Sequence, residues 1–518
     1  MKILELSNHW KIVQAAHRWW AKDREKRSHH LSFTPVLDMR LLGVALLLWG
    51  ATFCFFAWGT AAILLIILLI IIFIVILIFL TVKLPTVKLF FPIQSHAILA
   101  LILITFQLFL CWGRGVVYSE QIIAQNLGKT ATYEATIHRV QPLPTGSFLT
   151  TLNLTQVDAS EKSYPLVREA TTFLDVSYTP GSTVQLRGRI TKENTRLTLT
   201  TYNANIISST NPRKVDSLKQ SLREKSVQRI GENPTALLLG MSYGDDSTMD
   251  ETTRKNFQIS GLTHLTAVSG SNITLIFLCC YRTFQTLRFP RLLNIMLCAS
   301  GTLAYSTLVG WEGSVLRAWL MGTIAAYTLC RGAGQSSLSH CGVCVITLLV
   351  IKPELCENIG FMISVVATVS ILIIAPALTR ICGIIFPLFI AELLSVSIAA
   401  TLWTTPLIII ISDRSNSYSV LANLLATFLV APITILGLLL LSSSALKINI
   451  LGETIMDLAL FPVKIMLVIA QKISALPGSS FSIDSNPLTI SLWTLGILHF
   501  TGILLWIDHK IFAQSEDY

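Results

Sequence analysis

The sequence predicts a polytopic α-helical membrane protein of about twelve spans with an inserted extracytoplasmic, β-rich OB-like domain. Three observations predict it. Of 518 residues, 52% are hydrophobic and only 13% charged, against roughly 25% charged in soluble proteins. Apolar runs of spanning length recur along the chain. One long polar stretch, residues 114–230, interrupts them and carries strand-like alternation. The net charge of +10 marks cytoplasmic loops in a membrane protein and also suits an anionic partner such as nucleic acid or lipid headgroups.

Residues 1–40 form a basic cytoplasmic segment, with Lys2, Lys11, Arg18, Lys22, Arg24, Lys26, Arg27 and Arg40. Trp10, Val13, His17 and Trp20 recur there at helical spacing, as in an interfacial helix or, the favoured reading, a plain membrane anchor. This polar region precedes an apolar run far longer than a leader peptide's, so no cleavable signal is expected. Residues 41–113 read as three transmembrane helices: two between Leu41 and Thr81 with a turn near Trp58-Gly59-Thr60, then a third over 96–113. The chain then lies outside.

Residues 114–210 read as the OB-like domain, with strands at Thr132–Val140, Phe148–Val157, Thr171–Val176, Thr183–Ile190 and Arg196–Ile207. Arg187, Arg189, Lys192 and Arg196 cluster around one predicted hairpin. A basic helix and an acidic turn follow over 211–258, with Arg213, Lys214, Lys219, Arg223, Lys225 and Arg229 in the helix. A basic OB-like barrel fits a nucleic-acid groove, and a merely solvated basic surface is the competing reading.

Residues 259–507 read as nine more spans, near 262–281, 292–310, 314–330, 338–351, 359–378, 387–411, 418–445, 453–474 and 488–507, with a tail over 508–518. Alternation from outside places Arg282, Arg288, Arg291, Arg331, Arg380, Lys447 and Lys510 in inner loops. Glu312, Glu354, Glu357, Asp413 and Asp484 fall in outer ones, together with Lys352 and Arg414. Both termini are then cytoplasmic.

Chemistry concentrates in Ser260-Gly-Leu-Thr-His-Leu-Thr-Ala-Val-Ser-Gly-Ser-Asn-Ile-Thr-Leu-Ile276. Lipid cannot hydrogen-bond its polar groups, so a helix carrying them turns them toward other helices or water. His264, Ser269, Gly270 and Asn272 are therefore expected to line a polar path. Arg317, a few residues into a span, is expected to contact phosphate at its mouth, or else to pair with Glu312. Asn423, in a span broken by Pro432, lines the path deeper or makes an interhelical hydrogen bond.

Other patterns yield less. In Gly244-Asp-Asp-Ser-Thr-Met-Asp-Glu251, Ser247 or Asp250 is expected to cap a helix rather than hold a cation. Cys341-x-x-Cys344 reads as helix packing, and the ten cysteines show no disulfide framework. No metal and no cofactor are expected. Ala267-Val268-Ser269-Gly270 lacks the first glycine of a rhomboid-type serine site, and His264 sits on the same predicted helix. No catalytic residue is assigned, and without a Walker loop the chain is not an ATPase by itself.

The order of spans, OB-like insertion and polar helix resembles the ComEC family of competence proteins, which admit transforming DNA across the bacterial inner membrane. The resemblance rests on Ser260–Gly270, Ser314-Val-Leu-Arg-Ala318, Lys352-Pro353, Asn423-Leu-Leu-Ala426 with Pro432, and Leu476-Pro-Gly478. Pro180-Gly181 through Gly188-Arg189-Ile190 resembles that family's OB domain. Many members end in a metallo-β-lactamase-like nuclease domain, and no His-x-His-x-Asp-His cluster occurs here, so a non-enzymatic form is expected. Many also carry a histidine where this chain has Asn272, which cannot titrate near neutral pH. The resemblance implies a channel for single-stranded DNA, served by an outside DNA receptor, a separate nuclease and a cytosolic ATPase. Membrane lipid and a second copy of the chain complete the expected partners. A transporter or flippase for another anionic polymer or lipid-linked precursor is the alternative, and an intramembrane hydrolase a third reading.

Overall fold

The computed structural model describes residues 40–58, 99, 102–107, 116–142, 147–159, 162–175, 181–193, 196–208, 214–266, 268–310, 313–330 and 337–512. The basic segment up to residue 39, most of the second and third predicted spans, and Glu312 lie outside them.

Helices α1 (Arg40–Trp58) and α2 (Val116–Asn126) precede the barrel strands β1 (Thr130–Pro142), β2 (Phe148–Ala159), β3 (Lys162–Leu174), β4 (Thr183–Glu193) and β5 (Arg196–Ser208). The strands close in the order β1-β2-β3-β5-β4. β3 and β5 pair in parallel, and β1 pairs antiparallel with β4. Alternation explains closure: Val184, Leu186 and Ile190 of β4 point inward with Tyr133, Ile137, Leu152 and Leu154, while Arg187 and Arg189 point out. Gly188 is required where β4 and β5 cross closely, since a Cβ there would lie 2.3 Å from the Thr200 carbonyl oxygen. Burial pushes the Tyr133 phenol up to about 12. The third strand begins earlier than predicted, because Leu166 and Ala170 also face the core.

After the barrel come α3 (Lys214–Ile230), α4 (Glu232–Tyr243), α5 (Glu251–Ser260), α6 (Gly270–Thr286), α7 (Arg291–Val309), α8 (Gly313–Cys330) and α9 (Ser337–Ile351). α10 (Ile359–Cys382), α11 (Leu388–Ser412), β6 (Arg414–Asn416), α12 (Ser419–Ala445), α13 (Asn449–Ser474), β7 (Ser480–Ser482) and α14 (Pro487–Phe512) complete the order. Among the described residues five helices are long and apolar enough to cross a membrane: α7, α10, α11, α12 and the Pro487–Asp508 part of α14. The predicted spans at 262–281, 314–330, 338–351 and 453–474 are not among them, and Leu41–Phe53 and Ser337–Ile351 are shorter apolar helices. α13 exposes Glu453, Asp457, Lys464, Gln471 and Lys472 along its length together with Leu458, Phe461 and Val468, a mixed surface rather than a uniformly apolar one.

The inside–outside alternation separates two helix ends that α3 joins. It assigns Leu308 to an outer helix end and Asn449 to an inner one. Lys219 donates to the Leu308 carbonyl at 2.5 Å, and Lys225 donates to Asn449 Oδ1 at 3.2 Å. The end of α7 and the turn between α12 and α13 are thus both bound to α3. Leu438 of α12 packs against the cluster of Val268, Ile273, Tyr305, Val315 and Ala318.

The barrel is docked on the helices through β3. Arg168 pairs with Glu357 at 2.8 Å, and Lys352 with Glu169 at 2.7 Å. Glu357 ends the 3-10 turn Pro353–Glu357 that joins α9 to α10, and Lys352 immediately precedes it. Trp49 of α1 braces that turn by donating to the Cys356 carbonyl at 3.0 Å and stacking on Phe361.

Candidate functional site: a cation at a helix N-terminus

The polar motif is not one helix. Gly261 takes φ +76° and ends α5, residues Thr263–Leu265 form a 3-10 turn, and α6 starts only at Gly270. Ser269 is the N-cap, in extended conformation. The sequence predicts one helix over 262–281; the left-handed Gly261 and the extended backbone of Ser269 break it. His264 thus sits on the exposed turn.

The break brings three expected residues together around the start of α6. Gly270 faces Arg317 of α8: a Cβ at position 270 would lie 3.0 Å from the guanidinium and 3.2 Å from Ala318 Cβ. Glycine eases this approach, since a side chain there would push the guanidinium back by a few tenths of an ångström. Arg317 donates through Nε to Ser364 Oγ at 2.7 Å, and among the described residues it has no carboxylate within ion-pairing distance. A full positive charge and the positive end of a helix dipole therefore converge there.

Asn272 has a different setting. It is only 2% exposed. Its amide nitrogen donates to the Met241 carbonyl at 2.8 Å, and its oxygen accepts from Thr434 and Ser269, both at 3.4 Å. It ties α6 to α4 and α12. Asn423 is half-buried near the start of α12, about 16 Å along that helix from Thr434, so it is not part of this cluster.

Sequence reasoning missed α4, which is buried from Thr235 to Tyr243. Its terminal carbonyls need partners, and neighbours supply them. Gly244 N–H bonds Gly240 and Leu239, Asn272 serves Met241, and the Tyr305 hydroxyl serves Ser242 at 2.5 Å. Gly437 lets α12 close on Ser242, whose Oγ stands 1.6 Å from where a Cβ would be. The available signal was small residues inside apolar runs: Gly240 and Ser242 in α4, and Gly437 in α12.

The cations of the basic helix α3 turn toward the rest of the chain. Arg223 pairs with Asp245 and Ser247, Arg229 with Asp457 and Glu453, and Lys219 lies over the Tyr243 ring. Asp246 is taken by Arg254, and Asp250 caps α5 by accepting from Thr253 N–H at 2.6 Å. Hydrogen bonds from Asn233 and Thr253 hold the Asp250 carboxyl below its ordinary range. On the barrel, Arg187 and Arg189 stand exposed on the outer face of β4 and Lys192 is half-buried. Arg196 opens β5 in register with Glu193, and its side chain lies outside the described set.

A family model for competence proteins matches residues 241–508, more than half of the chain. The chain belongs to the competence protein family. The matched region of this competence protein contains α6, α8 and α12, so the Gly270–Arg317 contact lies within it. A curated relative, ComE operon protein 3 of Bacillus subtilis (strain 168), is 25% identical over 237 residues, covering 45% of this chain and 30% of that protein. The match therefore spans under a third of the relative's length. With five spanning-grade helices among the described residues, this member is a membrane protein.

Proposed function

We propose that the chain is a channel subunit passing single-stranded DNA through the cell membrane during competence. The observation that carries the reading is the Arg317 guanidinium held against Gly270 at the start of α6, hydrogen-bonded to the neutral Ser364. A phosphate entering there meets a bidentate-capable cation and helix-end amides. Family membership supplies the biological setting. In this reading the exposed arginines of β4 concentrate DNA by phosphate contacts. Asn272 acts as a positioning residue that fixes the α6 end, and Asn423 lines the path farther along. The chain itself performs no bond cleavage; a separate nuclease, an outside receptor and a cytosolic ATPase supply strand removal, delivery and pulling.

The test is uptake of labelled DNA by cells carrying wild type, Arg317→Ala or Arg317→Lys at equal membrane abundance. The expected result is that wild type delivers label to the cytoplasm, Arg317→Ala holds it outside, and Arg317→Lys recovers part. Equal uptake by all three would remove Arg317 from the path.

A further inference from the structure

The outer surface of the barrel carries two large aromatic side chains in water. Phe173 is 58% exposed and Tyr202 is 63% exposed. Both belong to one sheet surface. Phe173 lies near the end of β3, one position beyond Thr172, which pairs in register with Leu199 of β5, so Phe173 stands beside Thr200. Thr201 Oγ1 donates to the Phe173 carbonyl at 3.2 Å, and that contact locks the two strands. The register of β4 with β5 shifts at two points, and one of them is here: Arg187 opposes Asn203, and Gly188 opposes Thr201. Tyr202 is the residue left over, and a bulge of this kind re-aims its side chain outward.

The same register puts charge beside the rings. Thr200 pairs with Arg189, and Asn203 with Arg187. The row across three strands is therefore Phe173, Thr200 with Tyr202, then Arg189 and Arg187, with neighbouring strands about 4.8 Å apart. Arg187 and Arg189 are exposed and, among the described residues, neither has an ion-pair partner. Two outward carboxylates border the row: Asp175 beyond the end of β3, and Glu134 opposite Gln185. The barrel core closes without either ring.

We infer that this β3–β5–β4 face is a stacking platform for unpaired bases, in which Phe173 and Tyr202 take base faces while Arg187 and Arg189 take the phosphates. The inference rests on the channel reading and narrows it to single strands. In a duplex the base faces are already stacked on one another, so exposed rings gain nothing from it; in a single strand each base offers a free face. The site shares β3 with the β2–β3 face that OB-like barrels ordinarily use and extends from it across β5 and β4. The two arginines give affinity and salt dependence, and the rings give discrimination between strand and duplex.

The experiment uses the full chain in lipid nanodiscs and measures anisotropy of three labelled probes over a salt series: oligo-dT, an abasic strand of equal length, and a hairpin duplex. Phe173→Ala and Tyr202→Ala are each expected to weaken oligo-dT binding about 5- to 100-fold with an unchanged salt slope. The abasic strand and the duplex should bind them as they bind wild type. Arg187→Ala with Arg189→Ala should weaken all three probes and flatten the single-strand salt slope by roughly 0.7 for each phosphate no longer neutralised. Tyr202→Trp should keep the affinity, and its emission should be quenched by oligo-dT and not by the abasic strand. Aromatic variants that bind oligo-dT as wild type does, or that weaken on the abasic strand equally, overturn the platform while leaving the channel reading intact. A wild-type chain that binds none of the probes sinks the channel reading as well.

Discussion

Arg168→Ala should uncouple the barrel from the helices, and the size of the effect follows from burial. The Arg168 and Glu357 side chains are 4% and 9% exposed, with 2.8 Å between Nη2 and Oε2. Removing one member of such a pair strands a buried charge and costs about 3–5 kcal/mol. That is roughly a 150- to 5000-fold rise in the opening equilibrium of the junction. Replacing both members by apolar groups strands no charge, so Arg168→Met with Glu357→Leu should restore most of the stability. The neighbouring pair supplies an internal control. Lys352 and Glu169 are 37% and 40% exposed, and Lys352→Ala should cost about 0–1 kcal/mol. Amide hydrogen exchange in β3 and in the 353–357 turn reads wild type and all three variants directly. If Arg168→Ala opens the junction no more than Lys352→Ala does, or if the double replacement is as damaging as the single one, then burial does not govern this contact.

Gly437→Ala should destabilise the packing of α12 on α4 by about 1–3 kcal/mol, because a Cβ there meets Ser242 Cβ at 2.7 Å. Adding Ser242→Gly should restore part of it, as read by the thermal midpoint in detergent. Gly342→Ala should loosen α1 from α9, since the Leu41–Leu42 backbone stands 2.7–2.9 Å from that Cβ position; faster proteolysis near residue 41 would report it. Asp250→Ala should fray α5 at a cost of about 0.5–2 kcal/mol. The carboxyl of Asp250 is lowered in the folded state, so its contribution is complete above the ordinary carboxylate range. It disappears as pH falls through the lowered value, and exchange at the Thr253 amide should accelerate only in acid.

Membrane class, inserted barrel and family are legible in the residues alone, because each is written in composition, short-range period or a contiguous motif. Alternation at Val184, Leu186 and Ile190 is enough to place Arg187 and Arg189 outside. The apolar runs of α10, α11 and α12 are read near their observed limits for the same reason. Ser260–Asn272 stands out as the informative motif, but its polar residues do not announce their separate settings. Asn272 is sealed between α4 and α12 while His264 lies on an exposed turn. The meeting of Gly270 with Arg317, and of Arg317 with Ser364, exists only in the packed fold. No local pattern around any of the three points to the others. The cations of α3 are a second case: charge counting leaves them for an outside ligand, yet α13 and the acidic turn neutralise Arg229 and Arg223. Helix period tells which face is apolar; it does not tell which distant glycine, carboxylate or carbonyl will be opposite, because that depends on how helices cross.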